Sequence, residues 1–267
     1  MMVNPRDDRN NAYFQTFVNY YRQIPQKPSK VGSVERRGIQ LFDGESCTFT
    51  YILGCAATKK AIIIDPVDTK VSRDVKLIQE LKLNLEYAIN THVHADHITG
   101  SGFLKSLLGC KTAISEVSQA KSDVHLKDGD KLTFGEREIE ARSTPGHTYG
   151  CMTFVEHSAG LVFTGDSLLI RACGRTDFQQ GSAPTLYKSI YDKIFALPGD
   201  FMIYPGHDYR GMSVSTVDEE KEFNPRLTHN LDEFVHIMGT LGLAAPRKIG
   251  KIVIKHGISN VNKLVYM

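Results

Sequence analysis

The sequence predicts an α/β fold in which two mixed sheets pack face to face with helices on their outer surfaces. Three observations predict it. From Cys47 onward, short runs rich in β-branched residues alternate with amphipathic helical patterns. His92, His147, Asp166 and His207 each lie just past the C-terminal end of such a run. No linker rich in Pro, Gly or Ser and no internal repeat interrupts the alternation.

Thr48–Gly54 and Ala61–Asp65 read as strands of a buried sheet, since near-continuous apolar runs belong to strands covered on both faces. Asp74 to Leu83 follows as an amphipathic helix with Val75, Leu77, Ile78 and Leu81 as its stripe. Leu85–Asn90 is a strand that delivers a histidine-rich loop, Ile98 to Leu108 a helix, and Lys111–Ser115 another strand. The β-rich stretch Lys131 to Thr144 breaks at Phe134-Gly135-Glu136, a turn, and ends at Pro145-Gly146-His147. Cys151–Glu156 and Leu161–Thr164 are further strands, the second closed by Gly165-Asp166. Pro184 fits a first helical turn, where its missing N–H would have no partner. Leu186, Ile190, Ile194 and Leu197 give that helix its apolar face, and Pro198-Gly199 stops it. Phe201–Tyr204 is a short strand ending at Pro205-Gly206-His207-Asp208, and Leu231 to Leu241 is the last helix.

The 267 residues suit one sizeable domain, expected over 34–246, with an N-terminal arm over 1–33 and a tail over 247–267. The arm carries Arg6, Arg9, Arg22, Lys27 and Lys30, with Phe14, Phe17, Val18 and Tyr21 at helical spacing. That pattern fits a mitochondrial presequence, but Asp7 and Asp8 count against one; a surface helix or frayed arm is the other reading. The tail is lysine-rich and reads as a solvated end. A net charge of +2 gives no basic face for nucleic acid, and no apolar run approaches the ~20 residues that span a bilayer. Five widely spaced cysteines without a CxxC pair do not form a disulfide framework, which makes a reducing compartment the expectation.

The loop Thr91–Gly100 (THVHADHITG) packs His92, His94, Asp96 and His97 into one short connection, and imidazole with carboxylate suits zinc or non-haem iron. With His147, Asp166 and His207 on the same rim, there are enough ligands for two metals: His92, His94 and His147 for one, Asp96, His97 and His207 for the other, and Asp166 between. Such a centre makes a bridging water nucleophilic near neutral pH. One metal held by two histidines and a carboxylate is equally available, and it leaves positions open for O2 and substrate. Spacing does not choose between them.

HxHxDH, PGHT, TGD and a late histidine together resemble the metallo-β-lactamase superfamily. Within it, SCTFTYILG, IDPVD, NTHVHADHITGSG, TPGHTYGCMTFV, FTGDSLLIRACGRTDFQQG, IYPGHDYRG, VSTVDEE and NPRLT resemble the persulfide dioxygenases, from Ser46 to about Pro246. The resemblance implies an αββα sandwich and one Fe(II) per chain, held by His92, His147 and Asp166. His94, Asp96, His97 and His207 would then stand behind these ligands, hydrogen-bonding waters and one another. It further implies that glutathione persulfide, or a similar low-molecular-weight persulfide, is oxidised by O2 and water to sulfite and thiol. Placement in the mitochondrial matrix if the source is eukaryotic, or the cytoplasm otherwise, follows from the resemblance alone, as does a homodimer. Beside that site, Tyr209 is a candidate catalytic hydrogen-bond donor or a packed structural tyrosine. Arg175 is a candidate to pin a glutathione carboxylate or brace the site loop, or else an ordinary partner of Asp177. Cys173 and Cys151 read as packing. The match fails after Pro246, and Gly206 stands where members commonly have alanine. The alternatives are a two-metal thioester hydrolase of the glyoxalase II type, for whose extra helical domain the remaining C-terminal stretch leaves no room, and a non-catalytic binding protein.

Overall fold

The computed structural model describes residues 37–243, so the expected arm over 1–33 and tail over 247–267 lie outside the described residues. Among the described residues the chain forms two six-stranded mixed sheets flanked by helices, the αββα sandwich that the sequence predicts. The first sheet runs in sequence order: β1 (Arg37–Asp43), β2 (Thr48–Gly54), β3 (Lys60–Ile64), β4 (Asn84–Ile89), β5 (Lys111–Ser115) and β6 (Val124–Leu126). Its first two pairings are antiparallel and the other three parallel. The second sheet, read from its far edge, is β7 (Lys131–Phe134), β8 (Arg137–Ser143), β9 (Met152–Glu156), β10 (Leu161–Gly165), β11 (Met202–Pro205) and β12 (Ser215–Thr216). Only β10 and β11 are parallel there.

Burial on both faces explains the unbroken apolar strands. Ala61 and Ile63 of β3 pack with Val71 and Ile78 of α1 (Val71–Glu80) and Leu104 of α2 (Ser101–Leu108). Alternation turns Ile62 and Ile64, also fully buried, to the opposite face. Between the sheets, the Tyr51 ring of β2 meets Phe163 of β10 edge-on at 5.0 Å and Tyr204 of β11 at 5.6 Å. The Tyr51 hydroxyl donates to the Pro205 carbonyl at 2.6 Å, so the sheets are tied by a polar bond as well as by packing.

On the far side, α3 (Ala183–Ser189) continues into a wide π-helical turn at Ile190–Ile194, and both pack with α5 (Leu231–Gly239) over β9, β10 and β11. Ser182 caps α3 by accepting from the Thr185 N–H.

Several boundaries differ from expectation for local reasons. α1 starts a turn early and ends before Lys82, whose φ of 54° breaks the helix. The helix expected from Ile98 begins at Ser101, because the Asp68 N–H donates to the Ile98 carbonyl and the Thr99 hydroxyl to Asn90. Strand β1 and helix α4 (Val217–Phe223) had not been anticipated. α4 has almost no apolar stripe and is fixed by the Thr216 cap and an acidic first turn.

Candidate metal centre

Four strand ends converge on one rim. The β4 end carries the loop of His92, His94, Asp96 and His97; the β8, β10 and β11 ends carry His147, Asp166 and His207. The rim is stitched across the two sheets: the Met152 N–H donates to the Thr91 carbonyl and the Phe49 N–H to the Gly206 carbonyl, both at 2.8 Å. All seven ligand-type residues come together here, in two groups. Ligand atoms of His92, His147 and Asp166 lie within 4.8 Å of one another, as do those of His94, Asp96, His97 and His207.

In the first group, hydrogen bonds decide which atoms are free. Thr91 gives its one hydroxyl proton to Asp65 at 2.8 Å, so its oxygen accepts from His92 Nδ1 at 2.9 Å. His147 Nδ1 donates to the Arg175 carbonyl at 2.7 Å. With the proton on Nδ1, a neutral imidazole turns its Nε2 lone pair into the site. Asp166 Oδ1 accepts from His207 Nδ1 at 2.6 Å, while its Oδ2 sits 3.6 Å from His147 Nε2. Two nitrogens and one carboxylate oxygen facing one another match a facial two-histidine, one-carboxylate site. These residues fit a transition-metal ion.

Electrostatics agrees. Burial, then the neighbouring His94, pushes His92 well below the ordinary histidine value, leaving a neutral imidazole as a ligand needs. Burial alone would raise Asp166, yet the charge and hydrogen bond of His207 beside it hold it well below the usual carboxylate range, so it is ionised.

The second group is tied together through Asp96. Asp96 Oδ2 accepts from His97 Nδ1 at 2.8 Å, from His207 Nε2 at 3.1 Å and from the Thr48 hydroxyl at 3.1 Å. Burial opposes charge on His207, but Asp166 and Asp96 on either side outweigh it and hold its pKa well above normal. His207 is thus an imidazolium between two carboxylates. His94 donates from Nε2 to Asp65 at 3.1 Å; its Nδ1 and His97 Nε2 are buried with no hydrogen-bond partner.

The Tyr209 ring lies parallel to His207 with centroids 6.0 Å apart, and the residue is 69% exposed at the edge of the site. Arg175 donates twice to Asp177, at 2.6 and 2.7 Å, stacks over Phe178 and reaches the Leu243 carbonyl. Sequence reasoning missed Thr48, Asp65 and Thr91 as parts of the centre. Asp65 had a readable signal, because it follows the end of β3 just as Asp166 follows β10. Its φ of 50° is a left-handed conformation, uncommon for a residue other than glycine.

Comparison with known proteins places this architecture. A family model described as the metallo-beta-lactamase superfamily matches residues 44–207, and the chain belongs to that superfamily. The chain is 55% identical over 229 residues to the mitochondrial persulfide dioxygenase ETHE1 of Homo sapiens, covering 85% of this chain and 89% of that protein. Within the superfamily it is a member of the persulfide dioxygenase family. The crystal structure of ETHE1 from Myxococcus xanthus superposes with a TM-score of 0.79 at 42% identity, over 82% of this chain and 96% of that one. A probable hydroxyacylglutathione hydrolase of Schizosaccharomyces pombe is more distant, at 33% over 180 residues, 66% of this chain and 70% of that protein.

Proposed function

We propose that this protein is a persulfide dioxygenase, oxidising glutathione persulfide or a similar low-molecular-weight persulfide with O2 and water to sulfite and thiol, with one Fe(II) per chain held by His92, His147 and Asp166. The observation that carries it is the split of seven ligand-type residues into a three-residue group whose Nε2 atoms and carboxylate face one another and a four-residue group in which Asp96 is hydrogen-bonded to both His97 and His207. The names of the relatives support the substrate class. They also support a mitochondrial compartment, which those names state of the mammalian proteins; homodimer assembly rests on the family resemblance alone.

Bound here, Fe(II) would supply neighbouring coordination positions at which dioxygen and a persulfide sulfur meet. The chain's own groups do the rest. Thr91 and the Arg175 carbonyl hold the His92 and His147 tautomers, with each proton on Nδ1. His207 neutralises one side of Asp166 and fixes its free oxygen toward His147. Tyr209, exposed over His207, presents a hydroxyl at the edge of the site as a hydrogen-bond donor to a reacting oxygen or sulfur. Arg175 braces the loop whose carbonyl orients His147; a substrate carboxylate there would have to compete with Asp177.

Protein loaded anaerobically with Fe(II) is expected to consume oxygen and release sulfite when given glutathione persulfide. Asp166→Ala should lose iron and turnover together. No oxygen uptake, with cleavage of S-lactoylglutathione by a two-zinc protein, would replace this reading with the hydrolase.

A further inference from the structure

Thr48 begins β2, is fully buried, and places its Oγ1 3.1 Å from Asp96 Oδ2, 3.2 Å from His97 Nδ1 and 3.1 Å from His207 Nε2. Asp96, His97 and His207 are the residues that a second cation would recruit. We propose that Thr48 sets the metal stoichiometry of this protein: its hydroxyl locks those three side chains into a hydrogen-bonded cluster, so the chain holds one ion where its ligand types would suffice for two. The inference rests on the single-metal reading above and deepens it.

The hydroxyl is not free to step aside. A β-branched residue in a strand has few χ1 choices. The Thr48 backbone bridges His207, and the next N–H, that of Phe49, donates to Gly206, so strand β2 and the His207 turn move as one. Behind Thr48, Ser46 Oγ lies 2.8 Å away, and Ser46 gives its own proton to Asp43 at 2.6 Å. The Thr48 proton is therefore shared between Ser46 and Asp96, while its oxygen accepts from the two imidazoles.

A second cation at about 2.1 Å from Asp96 Oδ2 and His207 Nε2 would have to displace the bonds that these two atoms make with each other and with the Thr48 hydroxyl. His94 Nδ1 and His97 Nε2 are already unpartnered, so it is Asp96 and His207 that the hydroxyl withholds from an incoming ion.

The test is metal content after equilibration with excess zinc(II) and desalting. Wild type and Thr48→Ser should each retain one ion per chain, and Thr48→Ala should retain two. Two ions in wild type would overturn the single-metal reading itself. One ion in both wild type and Thr48→Ala, or two in Thr48→Ser, would overturn only the role given to Thr48. A second measurement needs no variant: in long-range 1H–15N spectra of zinc-loaded wild type, the His97 and His207 ring nitrogens should not respond to a second equivalent of zinc. A shift at either would overturn the inference even if Thr48→Ala failed to fold.

Discussion

Gly174 shapes the centre by having no side chain. A Cβ there would lie 2.3 Å from the Asp166 carbonyl oxygen and 2.8 Å from His147 Cγ, closer than real Cβ contacts come. Its N–H also donates to that Asp166 carbonyl at 2.8 Å, so the backbone has no room to retreat. Gly174→Ala should displace the His147 ring, lower metal retention and destabilise the fold by about 1–3 kcal/mol, the usual cost of overpacking. Metal per chain after dialysis, read beside a thermal melt, checks this; wild-type values in both would mean that the loop yields. Arg175 calls for a different split. Lysine keeps the charge but loses the planar fork that grips Asp177. If Arg175 braces the loop, Arg175→Lys should lose metal and kcat while KM for glutathione persulfide stays put. A raised KM with full metal content would instead mean that the guanidinium holds a substrate carboxylate.

At the scale of elements, Asp123 anchors the outer edge of the first sheet. It accepts from the Thr112 N–H and hydroxyl at 2.9 and 3.0 Å and pairs with Lys105 of α2, joining β5, β6 and the helix at one carboxylate. The Lys105 contact, with the Thr112 bonds, lowers its pKa to about 2. A depressed carboxylate pKa contributes stability that is complete above the ordinary value near 3.8 and fades as pH falls toward 2. Asp123→Ala should therefore cost about 1 kcal/mol at pH 7, a discounted figure for a partly exposed group. The gap in denaturation midpoint between wild type and variant should narrow from pH 4 downward; a gap independent of pH would assign the effect to packing. The two edges of this sheet mark where sequence reading stops. β2 and β3 were legible because burial on both faces writes a near-continuous apolar run. β1 and the three-residue β6 were not: β1 mixes Arg37, Gln40 and Asp43 among its apolar residues, and β6 is too short to show a period. The rim itself was legible, since His147, Asp166 and His207 each follow a strand. Thr48 was not, because only pairing of β2 against the His207 turn brings a hydroxyl from far upstream to the histidine loop.

For the whole molecule, the candidate ligands divide between the two halves of the sandwich. His92 hangs from β4 of the first sheet, whereas His147 and Asp166 hang from β8 and β10 of the second. An ion bound to all three would cross-link the sheets at their rim, adding to the Tyr51–Pro205 and Phe49–Gly206 bonds. Folding and metal binding are then linked: an ion that binds the folded chain alone stabilises it by about 2.7 kcal/mol at one hundred times its Kd. For a domain of this size that corresponds to a rise in melting temperature of roughly 5–11 °C. His92→Ala removes the only one of the three ligands supplied by the first sheet, so this rise should shrink to a small fraction of the wild-type value across a metal titration. The metal-free melting temperature of the variant serves as the baseline, because a buried imidazole is also lost from the core. An undiminished rise in His92→Ala would mean that the ion is held by the second sheet alone, and the rim would then be a surface against which the first sheet packs without sharing the metal.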